Sequence, residues 1–279
     1  MEKYERISEL QLKLSELRKS KTIGFVPTMG ALHQGHLSLI DKCKSMCNIT
    51  VASIFVNPTQ FNDKNDYRRY PRTLEKDGEI LEKAGCDIVF VPSEKEIYPE
   101  TDERIFDFGE LDKVMEGKFR QGHFNGVAQV VSRLFDIVNP DKAFFGQKDF
   151  QQVSIIKNMV KQLNLTTEIV VCPIVREQDG LAMSSRNMLL SDNQRKEAIN
   201  ISQALFYAKQ QAPGTPVNEI RDEAIRRINS SPELKVEYLE IVDANTLQTV
   251  SGWDDATEIF ACVAVQAGKI RLIDNVQLK

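Results

Sequence analysis

Two histidines three residues apart are the side chains in this sequence best suited to chemistry. His33 and His36 are separated by Gln34 and Gly35, and they follow an apolar run, Thr22–Val26, that predicts a short buried strand. A helix that begins at His33 would place both imidazoles on one side of its first turn. The unpaired backbone N–H groups and the positive end of the helix dipole lie at the same place. The arrangement therefore predicts a site for phosphate groups, as in a nucleotide.

Two other roles are open to the pair. The imidazoles could pack beneath a loop, although they are two of only three histidines in the chain. Zinc binding would need further ligands, and no Cys, Asp or Glu clusters around this segment. The glycines of the segment, Gly30 before the histidines and Gly35 between them, permit a tight turn and a close approach of a ligand to the backbone. The strand–turn–helix context favours phosphate binding.

Three other polar segments carry groups that can bind an anionic substrate. Asn57–Phe61 follows the predicted strand Ile49–Val56 and offers amide side chains for hydrogen bonds. Phe145–Asp149 contains a lysine, a point charge suited to phosphate, just before a predicted helix. Met183–Asn187 offers two hydroxyls and a guanidinium group. Each segment alone is also typical of a surface loop, a helix start or an Asn-Pro turn.

The third histidine, His123, lies in a short segment between Gly122 and Gly126. Glycines on both sides indicate a constrained loop. We expect His123 to line the substrate pocket, with a structural loop contact as the alternative.

Strands and helices alternate along the first two thirds of the chain. Beyond the strand at residues 22–26, we predict strands at 49–56, 87–91, 104–108, 143–145 and 167–172. The predicted helices are the amphipathic N-terminal segment, 74–84, 127–138 and 150–163, and residues 57–72 are expected to be irregular. This alternation predicts an α/β domain with a parallel sheet covered by helices on both faces. The turn at Pro27–Leu32 and the loops at Asn57 and Gly146 would open on one crevice beyond the strands' carboxyl ends.

The pattern changes after residue 184. Two helices, 192–211 and 217–229, precede three predicted strands at 235–242, 257–265 and 269–276, with a hairpin signal between the last two. We interpret residues 185–279 as a smaller α+β domain and residues 1–184 as the sheet domain.

Composition narrows the class of protein. The chain of 279 residues is 42% hydrophobic and 27% charged, with a net charge of -4, which argues against a nucleic-acid surface. No apolar run approaches the roughly 20 residues that cross a bilayer, and the charged N-terminus lacks the apolar core of a signal peptide. Five cysteines without a C-x-x-C pair indicate reduced thiols, with Cys43 and Cys47 packed in the core. We therefore expect a cytoplasmic protein that binds neither nucleic acid nor membrane.

Taken together, the polar segments resemble the pantothenate synthetase (pantoate–β-alanine ligase) family of the HxGH nucleotidyltransferase superfamily. The matching stretches are PTMGALHQGH, FVNPTQF, YPRT, RQGHFNGV, FGQKD with the following QQ, and VREQDGLAMSSRN, in that order between residues 22 and 187. The closing AGKIRLIDNV also resembles the end of the family. The resemblance implies a Rossmann-like catalytic domain, a C-terminal lid domain and a homodimer.

The resemblance also implies the reaction. Pantoate would attack the α-phosphate of ATP to give pantoyl adenylate and pyrophosphate, and β-alanine would then attack the adenylate to give pantothenate and AMP. Both steps depend more on positioning and charge stabilisation than on a covalent protein nucleophile. Another HxGH nucleotidyltransferase is the alternative enzyme, and a catalytically silent nucleotide-binding protein is the alternative outside enzymes.

The residues of the site can be carried over from the family motifs. ATP would contact Met29, Gly30, Ala31, Leu32, His33, Gln34, Gly35, His36, Gly146, Gln147, Lys148, Asp149, Val175, Met183, Ser184, Ser185 and Arg186. Of these, the catalytic residues would be His33, His36, Lys148, Ser184, Ser185 and Arg186, with His36 at the position usually described as a proton donor. Pantoate and β-alanine would contact Gln60, Gln152, Tyr70 and His123. Mg²⁺ would accompany ATP, with Asp77 as its candidate protein contact. Gln121 departs from the family, which usually has proline there, before the His123 segment.

Overall fold

The first unit of the fold is built on a parallel sheet. In the computed structural model, which describes residues 1–62 and 64–279, the sheet contains β1 (Glu2–Tyr4), β2 (Ile23–Thr28), β3 (Ile49–Ile54), β4 (Ile88–Phe90), β5 (Lys142–Gly146) and β6 (Glu168–Cys172). Their order across the sheet is β1–β4–β3–β2–β5–β6, and all neighbours are parallel. Successive strands run outward from β2 to β4 and then restart beside β2 at β5. The strand order therefore reverses between β2 and β5, which is where open α/β sheets bind ligands.

Helices cover both faces of this sheet, as the sequence predicted. The helices of the described chain are α1 (Ile7–Leu17), α2 (Gln34–Met46), α3 (Lys64–Arg69), α4 (Leu74–Lys83), α5 (Glu94–Ile97), α6 (Met115–Phe119), α7 (His123–Val138), α8 (Phe150–Gln162), α9 (Asp192–Glu197), α10 (Ile199–Gln211) and α11 (Val217–Asn229). Adjacent residues of β2 point to opposite faces, because Phe25 packs with α1, α7 and α8 while Val26 packs with α2 and α4. None of the described helices has the length and apolar character needed to span a bilayer.

Contacts divide the described chain into two units. Unit 1 comprises Met1–Asp112, Gly117–Gly146 and Gln152–Cys172, and unit 2 comprises Lys113–Glu116, Gln147–Gln151 and Pro173–Lys279. By this measure residues 173–184 pack with unit 2, whereas the sequence placed them in the first domain. The functional division into residues 1–184 and 185–279 stays a prediction.

Unit 2 contains the predicted α+β fold. An antiparallel sheet of β7 (Leu234–Asp243), β8 (Ile259–Ala267) and β9 (Ile270–Gln277) packs its apolar side chains with those of α10 and α11. The short segment at the start of α6 joins this unit through Glu116, whose carboxylate pairs with the Arg271 guanidinium at 2.7 Å and accepts a hydrogen bond from the Tyr238 hydroxyl at 2.8 Å.

Several elements differ from the sequence prediction. Residues 104–108 do not form the predicted strand, because their backbone groups form hydrogen bonds with side chains of α7. Asn125 accepts the Phe106 N–H, and Asn125 and Gln129 donate to the Arg104 carbonyl. The predicted helix at residues 192–211 is two helices, interrupted at Ala198. Helix α7 begins four residues earlier than predicted, strand β1 was not predicted, and α3 lies in the segment expected to be irregular. Residue 63 of that segment lies outside the described residues.

All five cysteines are free thiols, and four of them are buried. Burial raises the pKa of Cys43 and that of Cys86 to about 12. The core-packing role predicted for both cysteines is confirmed: Cys43 is completely buried, and the half-buried Cys47 packs against the same cluster.

Candidate active site

The turn after β2 is held in a left-handed conformation. Gly30 and Ala31 have φ values of 81° and 50°, and the second is unusual for a residue with a side chain. The Asp77 carboxylate, from the first turn of α4, accepts hydrogen bonds from the Ala31 N–H at 2.9 Å and the Leu32 N–H at 2.8 Å. The Thr73 hydroxyl donates to the same carboxylate at 3.1 Å. The turn that leads to the histidines is therefore fixed from α4.

These contacts favour a structural role for Asp77 over the metal contact expected from the sequence. The residue is 1% exposed, and each of its carboxylate oxygens already accepts a backbone N–H. Among the residues that the structure describes, no group of three or more His, Cys, Asp or Glu side chains could hold a metal ion. The donor set therefore does not fit a resident Mg²⁺ at Asp77.

The two histidines begin α2 and cap it with their own rings. His33 Nδ1 accepts the Gly35 N–H at 3.1 Å, and His36 Nδ1 accepts the His33 N–H at 3.3 Å. A ring nitrogen that accepts a hydrogen bond carries no proton, so each ring holds its proton on Nε2. The ring centroids are 4.2 Å apart, a separation at which two imidazolium charges would repel each other. In this geometry the half-buried pair presents two Nε2–H groups as donors.

The Asn57 loop surrounds Gln60 with polar contacts within unit 1. Gln60 is 8% exposed, its Oε1 accepts a hydrogen bond from Asn57 Nδ2 at 3.1 Å, and its Nε2 lies 3.1 Å from Met29 Sδ. Nδ1 of the buried His123 lies 2.8 Å from the Gln60 carbonyl oxygen, which can only accept, so His123 donates. Gly126 is required below this loop, because a Cβ there would lie 2.4 Å from the Thr59 carbonyl oxygen.

The other two predicted substrate contacts also lie in unit 1. Tyr70 is buried, and its ring packs edge-on against Phe61 at a centroid distance of 5.7 Å. Gln152 lies in the first turns of α8 and is half-buried.

The remaining predicted ATP contacts, apart from Gly146, belong to unit 2. The turn at Gln147–Asp149 is tied to β9 by Asn275, whose Nδ2 donates to the carbonyls of Gln147 at 3.0 Å and Lys148 at 3.1 Å. Gln147 Nε2 returns a hydrogen bond to Asn275 Oδ1 at 3.1 Å. Asn275 is 2% exposed, so the side chain that hydrogen-bonds the Lys148 carbonyl is itself buried.

The serine–arginine loop is built in the same unit. Val175 and Met183 face each other across a short hairpin, with the Met183 N–H donating to the Val175 carbonyl at 3.0 Å. Ser184 Oγ accepts the Arg186 N–H at 3.2 Å and begins the short 3₁₀ helix that contains Ser185. The hairpin is anchored by Arg176, whose guanidinium forms a bidentate ion pair with Asp274 of β9 at 2.7 and 3.0 Å.

Sequence reasoning missed several residues that support the site. Asn275 and Asp274 lie in the closing AGKIRLIDNV segment, whose resemblance to the family implied no role for either residue. Tyr98, whose hydroxyl donates to Asn57 Oδ1 at 2.9 Å, carried no signal at all. Within unit 1 the structure brings together Met29, Gln60 and His123, while Lys148, Val175 and the serine–arginine loop lie in unit 2.

The fold and the histidine turn define the class of protein. A parallel sheet whose strand order reverses beside β2, followed there by a turn and two Nε2–H donors at a helix start, is typical of α/β enzymes that bind phosphorylated ligands.

Comparison with known proteins gives the family. Residues 2–277 match the model of the pantoate-beta-alanine ligase family. Among curated relatives, the pantothenate synthetase of Phocaeicola vulgatus is 54% identical over 281 residues, covering 100% of both chains. That of Bacteroides thetaiotaomicron is 53% identical over 274 residues, covering 98% of this chain and 97% of the relative. The chain belongs to the pantoate–β-alanine ligase family and is an enzyme that joins pantoate to β-alanine.

Solved structures agree on the fold over the full length. Pantothenate synthetase from Thermus thermophilus superposes with a TM-score of 0.94 at 41% identity, covering 100% of this chain and 99% of the other. The pantoate-beta-alanine ligase from Francisella tularensis, determined in complex with beta-gamma ATP and beta-alanine, has a TM-score of 0.83 at 40% identity, with coverage of 99% and 97%. The Rossmann-like sheet domain and the smaller α+β domain predicted from the sequence are thus confirmed.

Proposed function

We propose that the chain joins pantoate to β-alanine in two steps that consume ATP. A carboxylate oxygen of pantoate attacks the α-phosphorus, and the bond to the bridging oxygen breaks, so that pyrophosphate leaves with the electron pair. The β-alanine nitrogen then attacks the acyl carbon of pantoyl adenylate, AMP leaves, and the nitrogen loses a proton. Neither step requires a covalent bond to the protein.

The observation that carries this proposal is the pair of Nε2–H donors at the start of α2. Negative charge accumulates on the α- and β-phosphate oxygens as pyrophosphate leaves, and fixed donors stabilise it best. His33 and His36 supply two such donors beside the N-terminus of a helix of 13 residues. Transfer of a proton from His36 would require a doubly protonated ring, which would lose the cap on the His33 N–H. We therefore assign His36 to charge stabilisation.

The other proposed ATP contacts add positive charge and hydrogen-bond donors. Lys148 and Arg186 carry charge, and Ser184 and Ser185 carry hydroxyls that suit phosphate oxygens. The remaining proposed nucleotide contacts are the turn Met29–Gly35, the residues Gly146, Gln147 and Asp149, and Val175 with Met183. These assignments rest on the family motifs and on the chemistry of the side chains in each unit.

The acid and amine substrates are assigned to unit 1. We propose that Gln60 and Gln152 hydrogen-bond pantoate, that Gln60 also faces β-alanine, and that Tyr70 lines the pocket. His123 donates to the Gln60 carbonyl, which supports a role in holding Gln60. The complex of the Francisella relative with beta-gamma ATP and beta-alanine supports ATP and β-alanine as substrates of this chain.

We propose that Mg²⁺ enters as MgATP, bound through phosphate oxygens and water with few protein ligands. We also propose, from the family resemblance, that residues 185–279 serve as a lid, that the chain forms a homodimer and that it acts in the cytoplasm.

Product formation tests the proposal directly. Protein mixed with ATP, Mg²⁺, pantoate and β-alanine should release AMP, and exchange of labelled pyrophosphate into ATP should require pantoate but not β-alanine. AMP release that is indifferent to pantoate would refute the reaction. Transfer of AMP to a phosphorylated acceptor without pantoate would instead support another HxGH nucleotidyltransferase.

Three substitutions at one position test the role of His36. His36→Gln keeps an N–H donor near the position of Nε2 but has no titratable proton, whereas His36→Ala and His36→Asn lack a donor there. We expect pyrophosphate exchange to fall roughly 100- to 1000-fold in the alanine and asparagine variants and about tenfold or less in the glutamine variant. Equal loss in all three, with unchanged thermal stability, would show that proton transfer is required.

A further inference from the structure

Two buried amide side chains meet in the Asn57 loop. Asn57 is 1% exposed, and its Nδ2 lies 3.1 Å from Gln60 Oε1. An amide presents a donor on one side and an acceptor on the other, so which way each group faces decides what Gln60 can bind.

The orientation of Asn57 is set by backbone groups whose polarity cannot change. Its Nδ2 donates to the Gly126 carbonyl at 3.1 Å, and a carbonyl can only accept. Its Oδ1 accepts the Thr59 N–H at 3.4 Å, and an N–H can only donate. Reversing the amide would place two donors against each other and two acceptors against each other. The amide of Asn57 therefore has one allowed orientation.

Tyr98 reinforces this orientation. Its hydroxyl lies 2.9 Å from Asn57 Oδ1 and donates to it. Burial raises the pKa of Tyr98 to about 12, so the hydroxyl keeps its proton at neutral pH and remains a donor.

The orientation of the Asn57 amide determines the orientation of the Gln60 amide. The second hydrogen of Asn57 Nδ2 requires an acceptor, which is Gln60 Oε1, and Gln60 Nε2 then lies on the opposite side, 3.1 Å from Met29 Sδ. The hydrogen bond from His123 to the Gln60 carbonyl fixes the backbone at the same residue. A thioether sulfur is a weak acceptor, so an oxygen anion would replace it readily.

We propose that Asn57 and Tyr98 are positioning residues that hold the Gln60 side chain with its Nε2 hydrogens toward the acid substrate. This orientation offers donors to an acceptor oxygen of pantoate and disfavours ligands that present a donor there. The inference rests on the proposed function, because it takes Gln60 as a pantoate contact.

Asn57→Asp is the decisive substitution. The aspartate cannot donate to Gln60 Oε1, but it still accepts from Thr59 and Tyr98, so the Gln60 amide turns over and presents its oxygen to pantoate. We expect the KM for pantoate to rise roughly tenfold to a hundredfold, as for one mispaired buried group, and the KM for ATP to stay within about twofold. In the Gln60→Ala background, Asn57→Asp should add no further increase.

Asn125→Asp is the matched control. Asn125 has the same pattern of bonds, because it accepts the Phe106 N–H at 2.9 Å and donates to the Arg104 carbonyl at 3.1 Å. Among the hydrogen bonds of the described residues, none joins Asn125 to Gln60. It should lose thermal stability without a change in the KM for pantoate. Tyr98→Phe keeps the Thr59 donor on Asn57 and should raise the KM for pantoate about threefold. This variant tests the chain of hydrogen bonds from Tyr98 through Asn57 to Gln60, called the relay below, even if Asn57→Asp does not fold.

The outcomes separate the positioning role from the proposed function. Wild-type protein that forms no AMP with pantoate overturns the function, and Gln60→Ala with an unchanged KM for pantoate overturns the assignment of Gln60 and with it the relay. If Gln60→Ala raises that KM while Asn57→Asp and Tyr98→Phe do not, the relay alone is wrong. The relay is also wrong if the effects of Asn57→Asp and Gln60→Ala multiply, or if Asn125→Asp raises the KM equally.

Discussion

Replacing Asp77 by asparagine should disturb the turn that leads to the histidines. The wild-type carboxylate accepts the Ala31 and Leu32 N–H groups on separate oxygens, at 2.9 and 2.8 Å. Asparagine has one oxygen, so its NH₂ group must face one of the two backbone donors. The side chain keeps its shape, and the perturbation is confined to one hydrogen bond and one charge.

The magnitude follows from the two terms that change. A hydrogen bond to a charged group contributes about 1.5 to 3 kcal/mol, and leaving a buried N–H without an acceptor costs about 1 to 3 kcal/mol. Because the terms overlap, we expect the free energy of unfolding to fall by about 2 to 4 kcal/mol. With an unfolding entropy of about 2.1 cal/mol/K per residue, a chain of 279 residues shifts by about 1.7 °C per kcal/mol, so Tm should fall by roughly 3 to 7 °C. A shift of the turn of the order of 1 Å would slow adenylate formation about 100-fold.

The assay separates positioning from general instability. Pantoate-dependent pyrophosphate exchange reports on adenylate formation, and release of AMP from added pantoyl adenylate and β-alanine reports on the second step. We expect the exchange rate per folded enzyme to fall much more than the second step. Asp87→Asn is the control, because the Asp87 carboxylate accepts the Thr50 N–H at 2.8 Å at the amino end of β3. Equal loss in both steps, or recovery of exchange with additional Mg²⁺, would refute the reasoning.

Three further substitutions test other parts of the structure. Gly126→Ala should raise the KM for pantoate and lower the free energy of unfolding by about 1 to 3 kcal/mol, because its Cβ would lie 2.4 Å from the Thr59 carbonyl oxygen; kinetics and urea titration measure both. Asn275→Ala should raise the KM for ATP several-fold with the KM for pantoate unchanged, because the hydrogen bond to the Lys148 carbonyl is lost. Glu116→Gln should lower the free energy of unfolding by about 1 to 3 kcal/mol in urea without a change in either KM, because its 2.7 Å ion pair loses one charge.

The parallel sheet was predictable because its strands carry their own signal. A strand buried on both faces appears as a continuous β-branched or aromatic run, as at 49–54 and 88–90. Strand β1 gave no such signal, since Glu2–Tyr4 is a polar edge segment recognisable only by its pairing with β4. Residues 104–108 have the composition of a strand, but their backbone groups are used by side chains of α7. Local pattern predicts what a segment can form, and distant partners decide what it forms.

The same distinction applies to the candidate site. The histidines can be recognised because spacing and a helix start act within a few residues. Tyr98 reaches Asn57 across 41 positions, and Asn275 reaches Gln147 across 128. No periodicity in the sequence links such pairs, so their roles become visible only when the chain is folded. The sequence prediction gave Asp77 as a candidate Mg²⁺ contact, whereas its partners are two backbone N–H groups and the Thr73 hydroxyl.

Several polar side chains of the candidate site in unit 1 form hydrogen bonds with backbone groups. The rings of His33 and His36, the amide of Asn57 and the carboxylate of Asp77 each bond at least one backbone N–H. Backbone groups cannot reverse polarity by rotating, so each of these side chains is held in one orientation before any substrate arrives. In the proposed reaction, donors that are fixed in advance stabilise an anionic transition state more effectively than donors that reorganise as charge develops. Substitutions that preserve the shape of these side chains but alter their polarity should therefore impair the reaction more than conservative changes of size.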